Sequence, residues 1–294
     1  MTEKMKGVFI DAAVYAIAFG TASLSLIFIG DIFAAAAAFM SVATVVVFAA
    51  SCIFSDVSVY DPYWSVAPPV ILFACMLKYG FYNANAVILL AVVCVWSARL
   101  TVNWYYTYKG LGHEDWRYAM YRERYRAPAF LFISFTGLHF VPTVVVYAGL
   151  VSGLFAMQEE TFSPLSAVGV AVMLGAVALE YISDRAIHRF LREHKGERIT
   201  CGVSVWKYSR HPNYLGEISF WTGMYIYFAA ACPDIWYRGL SFLAVPALFC
   251  AVSIPMMEKH NAARRADYAE YKAKTSVLLL LPPKSGKRRH TADK

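Results

Sequence analysis

The sequence predicts an all-α integral membrane protein, a bundle of about eight transmembrane helices with basic loops gathered on the cytoplasmic side. Three observations carry this. The chain of 294 residues is 59% hydrophobic and 16% charged, and its mean hydropathy of +0.47 is too high for a soluble domain. Uncharged runs recur along it, each near the roughly 20 residues a helix needs to cross a bilayer. The net charge of +7 is parcelled into the gaps between those runs, so it is not the continuous basic footprint of a nucleic-acid-binding protein.

Taken in order, Val8–Ile29 follows Lys4 and Lys6 in the charge pattern of a signal peptide. It is too long for one and a second run follows at once, so an uncleaved helix is expected. Gly30-Asp31 turns the chain into Ile32–Phe54, where five alanines, Ala34–Ala38, indicate close packing through small side chains. A polar aromatic link, Ser55–Trp64, leads into Ser65–Tyr79, a short run carrying Pro68-Pro69. Tyr82–Tyr106 is the fourth span, although it contains Arg99. Lys109–Arg126 is a charged aromatic loop with a short interfacial helix. Phe130–Met157 is the fifth span, bent or loosened near Pro142. Leu165–Ile187 is the sixth and runs into the polar extension Ser183–Arg198. Leu215–Cys232 is the seventh, and Trp236–Met257 the eighth, kinked by Pro246 and Pro255. The soluble tail from Glu258 is helical to about Lys274, then basic. The organisation expected is a hairpin and link over 1–64, a membrane domain over 65–283 and a basic, disordered tail over 284–294.

Loop charge tests the count. Eight spans with both termini inside put Lys109–Arg126, Arg185–Arg210 and the tail in the cytoplasm. The opposite loops carry Glu159, Glu160 and Asp234, with only Lys78 and Arg238 on that side. This asymmetry follows the positive-inside rule. A seven-span chain needs the third run to be re-entrant or the first two to merge, and puts one terminus outside. The six cysteines show no CxxC spacing, and His139 and His290 stand alone, so no disulfide framework or metal site is expected.

Four groups of residues could do chemistry. The stretch YSRHPNYLGEISFWTG, Tyr208–Gly223, sets Arg210, His211, Asn213, Tyr214 and Glu217 in the mouth of an apolar run. Polar groups there are costly unless they bind something. Pro212 suits a first helical turn, and the N–H groups after it form a seat for an anion. Glu180, Asp184 and His188 recur at i, i+4, i+8 on one helical stripe, beside Arg185, Arg189 and Arg192; a plain Asp–Arg pair explains Asp184 as well. Glu258, Lys259, His260, Arg264 and Arg265 follow the last run and by themselves suit a solvated interfacial helix. Trp96, Arg99, Asn103 and Tyr106 share one face of the fourth span. A buried Arg99–Asp61 pair is one account of that face; the other has Asp61 and a nearby tyrosine donate hydrogen bonds to a carbonyl, with burial keeping Asp61 protonated. Carboxylates and amides for ribose hydroxyls and arginines for phosphates suit a large phosphorylated cofactor. Neither GxGxxG nor GxxxxGK[ST] occurs to supply a Rossmann or P-loop site.

GVSVWKYSRHPNYLGEISFWTG, the preceding LEYISDRAIHRFL, the later MEKHNAARRADYAEYKAKT, and WSARL followed by EDWRY resemble the uncharacterised bacterial branch of the steroid 5α-reductase family, over about Asp56–Pro283. That resemblance implies a multi-pass bacterial inner-membrane enzyme, expected to be a monomer. It would use NADPH to reduce a carbon–carbon double bond conjugated to a ketone in a steroid or isoprenoid lipid. It also implies site residues. Asn213, Glu217, Asp184, Glu180, His260 and Arg99 stand where the family contacts its cofactor, and Arg192, Arg198 or Arg210 would meet the extra phosphate of NADP. Asp61 stands near the family's catalytic glutamate. Trp96 replaces its catalytic tyrosine, so either Tyr63, Tyr105 or Tyr106 substitutes or the chemistry differs. The RHPxYxG stretch is also similar to isoprenylcysteine carboxyl methyltransferases. That stretch alone does not choose between a nicotinamide and S-adenosylmethionine, and a lipid-binding relative without catalysis is the third alternative.

Overall fold

The computed structural model describes residues 2–284, and the tail expected over 284–294 lies, but for Lys284, outside the described residues. The described chain is helical without strands; its one isolated backbone bridge joins Ser209 to Ser276. It divides into two compact units, one comprising the chain to Ala171 with Thr222–Val245, the other Val172–Trp221 with the chain from Pro246 onward.

The first unit opens with α1 (Glu3–Phe28) and α2 (Ile32–Ile53). Asp31 caps α2, accepting from Ala34 N at 2.8 Å. The alanine run packs as expected: Ala35 and Ala36 are buried, as are Ala18 and Ala22 of α1, and Ser25 Oγ reaches the Ala35 carbonyl across the hairpin at 3.2 Å. The link then makes a short 3₁₀ turn, Val57–Tyr60, before α3 (Tyr63–Tyr79). Pro68 and Pro69 lie inside α3 without ending it. Asn83 caps α4 (Ala84–Thr107). The charged loop contains the short helix α5 (Trp116–Arg124), capped by Asp115. α6 (Ala127–Ile133), a π-helical stretch Ser134–Phe140 and α7 (Val141–Ala156) form one continuous rod. The widened turns immediately precede Pro142, which has no N–H to continue the ladder, so the loosening falls where the proline requires it.

Among the described residues six helical segments are long and apolar enough to cross a membrane: α1, α2, α4, the rod Ala127–Ala156, α8 (Ser166–Glu193) and a last rod, Pro233–Arg264. The chain is a multi-pass membrane protein. Two of the eight expected spans fall short of that measure. α3 has 17 residues, and the 20 residues of α9 (Pro212–Ala231) are diluted by Asn213, Glu217 and several aromatic residues. The last rod changes character along its length: a 3₁₀ segment Pro233–Leu243, α10 (Ala244–Leu248), a π stretch Phe249–Ser253, then α11 (Ile254–Arg264). The π stretch lies between Pro246 and Pro255, the two residues expected to disturb it.

In the second unit α8 and α9 approach closely at Gly216. A Cβ there would run into the Glu180 side chain and come within 3.1 Å of the Ala176 carbonyl. The connection between them is tied down by Trp206 Nε1 donating to the Ser183 carbonyl at 2.9 Å. Thr200 holds it at the other end, donating from N and Oγ1 to Asp267. α12 (Tyr268–Lys274) completes the unit.

Candidate functional site

Each unit holds a buried cluster of charged residues. In the first, the link Ser55–Asp61 is clamped against the loop before α5. Asp56, fully buried, accepts from Ser58 N at 2.9 Å and Gly112 N at 2.7 Å. Val57 N donates to Glu114 Oε1 at 3.0 Å, and Asp115 N donates to Ser58 Oγ at 3.1 Å. Arg122 grips Glu114 through two nitrogens and also reaches the Ser55 carbonyl. These bonds fix α5 over the link and deliver Tyr118 to Asp61: the phenol donates to Asp61 Oδ1 at 2.5 Å. Arg117 Nη2 stands 3.9 Å from the same oxygen.

The Asp61 side chain is 23% exposed. Burial raises its pKa to about 6 against the opposing pull of Arg117 and the Tyr118 hydrogen bond, while Asp115 and Asp56 push the same way as burial. Burial, with the Asp61 charge beside it, raises the Tyr118 phenol well above its ordinary value. The corner therefore holds a carboxyl that titrates near neutrality against a phenol that stays protonated. Together they can present a hydrogen-bond donor to an oxygen on which charge builds.

The tyrosines expected beside Asp61 are placed otherwise. Tyr63 is fully buried, donates to the Met40 carbonyl at 2.9 Å and lies 3.2 Å from Thr44 Oγ1, within a hydroxyl chain that continues through Thr143 to Tyr60. Tyr106 is 72% exposed and Tyr105 carries the Lys4 ammonium over its ring. The phenol that meets Asp61 comes from the charged loop instead: it is Tyr118. The sequence did contain a signal for it: an acidic link, Asp56 and Asp61, faces a loop rich in arginine and tyrosine. Trp96 is buried beside Trp64, and Arg99 is partly buried.

In the second unit the polar stretch starts α9 as expected, with Pro212 in its first turn and Leu215 N returning to the His211 carbonyl at 3.0 Å. Glu180 is buried and meets α9 at Gly216, which directly precedes Glu217 and lies three residues after Asn213. Glu217 is buried and accepts from Trp221 Nε1 at 2.8 Å. Asn213, Tyr214, Asp184 and His260 are partly buried, and Arg192 is exposed. Arg264 Nη1 and His260 Nε2 lie 3.5 Å apart.

Arg210 is turned inward, away from the phosphate role expected of it. Its Nε donates to Glu258 Oε1 at 2.7 Å and its Nη1 to the carbonyls of Lys272 and Thr275 at 2.7 and 3.1 Å. The acidic partner, expected on a solvated helix, is a buried hub. Glu258 also accepts from Tyr268 at 2.9 Å and Lys272 at 3.0 Å, and stands 3.2 Å from His211 Nε2. Burial lowers the His211 pKa against the pull of Glu258, and burial with Glu258 raises Tyr268 to about 12. The physical reason is geometric: a guanidinium placed at the last carbonyls of α12 finds its hydrogen bonds there. His211 stacks on Tyr214, centroids 5.2 Å apart, which fixes the entry to α9.

Residues 47–275 match the family described as a protein of unknown function, DUF1295. The chain belongs to that family. Comparison with curated proteins gave no match, and neither did comparison with solved structures. The span shared by this DUF1295 member runs from within α2 through the end of α12, so it contains both polar clusters; α1 precedes it. Among the described residues no group of histidine, cysteine and acidic side chains is arranged to hold a metal ion.

Proposed function

We propose that this protein is an NADPH-dependent reductase of a carbon–carbon double bond conjugated to a ketone, acting on a steroid or isoprenoid lipid. The observation that carries the reading is the Asp61–Tyr118 pair. It supplies the polarised donor that the resemblance to steroid 5α-reductases calls for and that Trp96 cannot provide, because an indole donates a hydrogen bond but yields no proton. In this reading hydride goes to the β-carbon of the enone. Asp61 and Tyr118 hold the ketone oxygen as it becomes an enolate. Asn213, Glu217, Asp184, Glu180 and His260 hold the dinucleotide, and the exposed Arg192 meets its phosphates. Arg210 and His211 shape that region from behind through Glu258.

The same reading places the protein in a bacterial inner membrane as a monomer, with both termini cytoplasmic and α3 and α9 completing eight spans. The test is NADPH oxidation by protein purified in detergent, with progesterone as a steroid enone and β-ionone as an isoprenoid one. Consumption of cofactor that stops without enone supports the reductase. Thermal stabilisation by S-adenosylmethionine and not by NADPH would instead favour a methyltransferase, the class sharing RHPxYxG. NADPH binding without turnover of either enone would favour a lipid-binding relative.

A further inference from the structure

The face of α8 turned away from Glu180 and α9 carries two arginines that the fold does not use. Arg185 donates from Nη1 to the Tyr181 hydroxyl at 2.9 Å, and Arg189 from Nε to Glu193 Oε1 at 2.7 Å. Both bonds stay within α8, and among the described residues neither guanidinium reaches another element. The Arg189 and Glu193 side chains are 74% and 53% exposed, and an ion pair so exposed contributes little to stability. Arg185 and Arg189 stand at i and i+4, so they project from the same side of the helix with Cβ atoms about 6 Å apart. They border an open groove of about 600 Å³ formed wholly within the second unit. Small-molecule sites fall in the range of roughly 300–1,000 Å³.

The groove has a cationic rim and an apolar floor. Its far wall is the turn at Val203 and Ser204. Ser204 holds φ +53°, which is costly for a residue with a Cβ, and Trp206 pins the turn to the Ser183 carbonyl at 2.9 Å. Between wall and helix lie Ala186 and the buried Phe190 ring. Tyr181, Ile182 and Val203 are 53%, 45% and 49% exposed, and they join the groove to the apolar length of α8, a membrane-spanning helix. Glu193, at the end away from that length, offsets one positive charge, and the exposed Lys207 in the turn Ser204–Lys207 adds another. The surface thus runs from apolar on the bilayer side to cationic on the water side. A soluble phosphate would leave the apolar floor bare, and an uncharged lipid would leave the arginines unmatched. A lipid with an acyl chain and an anionic headgroup matches both.

We propose that this groove binds an anionic phospholipid, its phosphate held between Arg185 and Arg189 and one acyl chain lying over Ile182 and Ala186 toward the bilayer. Guanidiniums meet phosphate oxygens in paired, charge-assisted hydrogen bonds, and basic pockets at the ends of membrane helices take such headgroups. Arg192, which the reductase reading gives to the cofactor, is not among the residues that line the groove. The inference therefore goes beyond that reading and does not depend on it.

The test is retention of lipid by the full-length protein in detergent, read by native mass spectrometry without cofactor or enone. Phosphatidylglycerol, phosphatidylcholine and inorganic phosphate are the probes. Wild type should keep phosphatidylglycerol against an excess of phosphatidylcholine, and millimolar phosphate should not displace it. Arg185→Gln and Arg189→Gln should each weaken that retention about fivefold, the order expected for one cation beside an anionic headgroup, and the double variant should weaken it further. Their melting temperatures in phosphatidylcholine should match wild type, since neither arginine braces another element. Ala186→Trp fills the floor, leaves both arginines in place and should abolish retention, which separates a seated lipid from general attraction to a basic helix. Unchanged retention in the double arginine variant overturns the proposal. So does equal retention of phosphatidylcholine by wild type, or full retention of phosphatidylglycerol by A186W. Displacement by phosphate would make the groove a site for soluble phosphates and would also overturn it. None of these readouts involves NADPH oxidation, so failure of the reductase reading leaves them unchanged.

Discussion

Replacing Glu258 tests the buried hub that carries α9 and the tail. The Arg210 side chain is 5% exposed and Glu258 10% exposed, and they meet at 2.7 Å. Glu258→Gln keeps an oxygen that accepts from Tyr268 but removes the charge opposite a guanidinium with no route to water. Breaking a buried pair from one side costs about 3–5 kcal/mol, because the surviving charge is stranded. The second cation, Lys272, is 55% exposed and contributes little, so the lower end applies, about 3 kcal/mol. At about 2–4 °C per kcal/mol for a chain of this class, the melting temperature in detergent should fall by roughly 6–12 °C. Glu258→Ala should fall further, having lost the Tyr268 bond as well. Arg210→Met with Glu258→Leu should lie above the sum of the single changes by about 2 kcal/mol. It should not reach wild type, since the carbonyls of Lys272 and Thr275 lose their donor. If Glu258→Gln melts within about 2 °C of wild type, the pair is not desolvated and this account of the hub is wrong.

Other outcomes follow from the geometry of the two clusters. Asp61 titrates near 6 through burial, Arg117 and Tyr118, so its donor form is present at low pH. Activity against an enone should therefore decline as pH rises through about 6, and Asp61→Asn, whose amide donates at every pH, should keep a reduced rate without that limb. The same raised pKa means that its contribution to fold stability is complete below the unfolded value of 3.8 and is lost as pH rises through about 6, readable as a pH-dependent melting difference between wild type and D61N. Tyr118→Phe removes the bond that lowers the Asp61 pKa, so the activity limb should move to higher pH while the maximal rate falls by about a hundredfold. Tyr63→Phe should cost about 1 kcal/mol of stability through the lost bond to Met40, with the rate intact, and Tyr106→Phe should change neither. Gly216→Ala forces a methyl into the Glu180 side chain and should cost about 1–3 kcal/mol in thermal unfolding, together with NADPH affinity.

The sequence by itself determined that this is a helical membrane protein, because apolar runs near 20 residues and basic gaps between them follow from the cost of placing charge in oil. It placed the hairpin at Gly30-Asp31, the close packing of the Ala34–Ala38 run, the disturbance before Pro142 and between Pro246 and Pro255, and the start of α9 at Pro212. Each of these is decided by neighbours within a few residues. It also picked out the polar stripe of α8 and the first turns of α9, which helical spacing alone brings into register. Tertiary structure decided which partners those polar groups take. Tyr118 lies 57 positions from Asp61 and reaches it only because Asp56, Ser58 and Ser55 pin the link to the loop before α5. Arg210 and Glu258, read as a phosphate ligand and a solvated acid, instead neutralise each other across 48 positions. Hydrogen bonds and desolvation act over a few ångströms of space, so their outcome is set by which distant segments the fold makes adjacent.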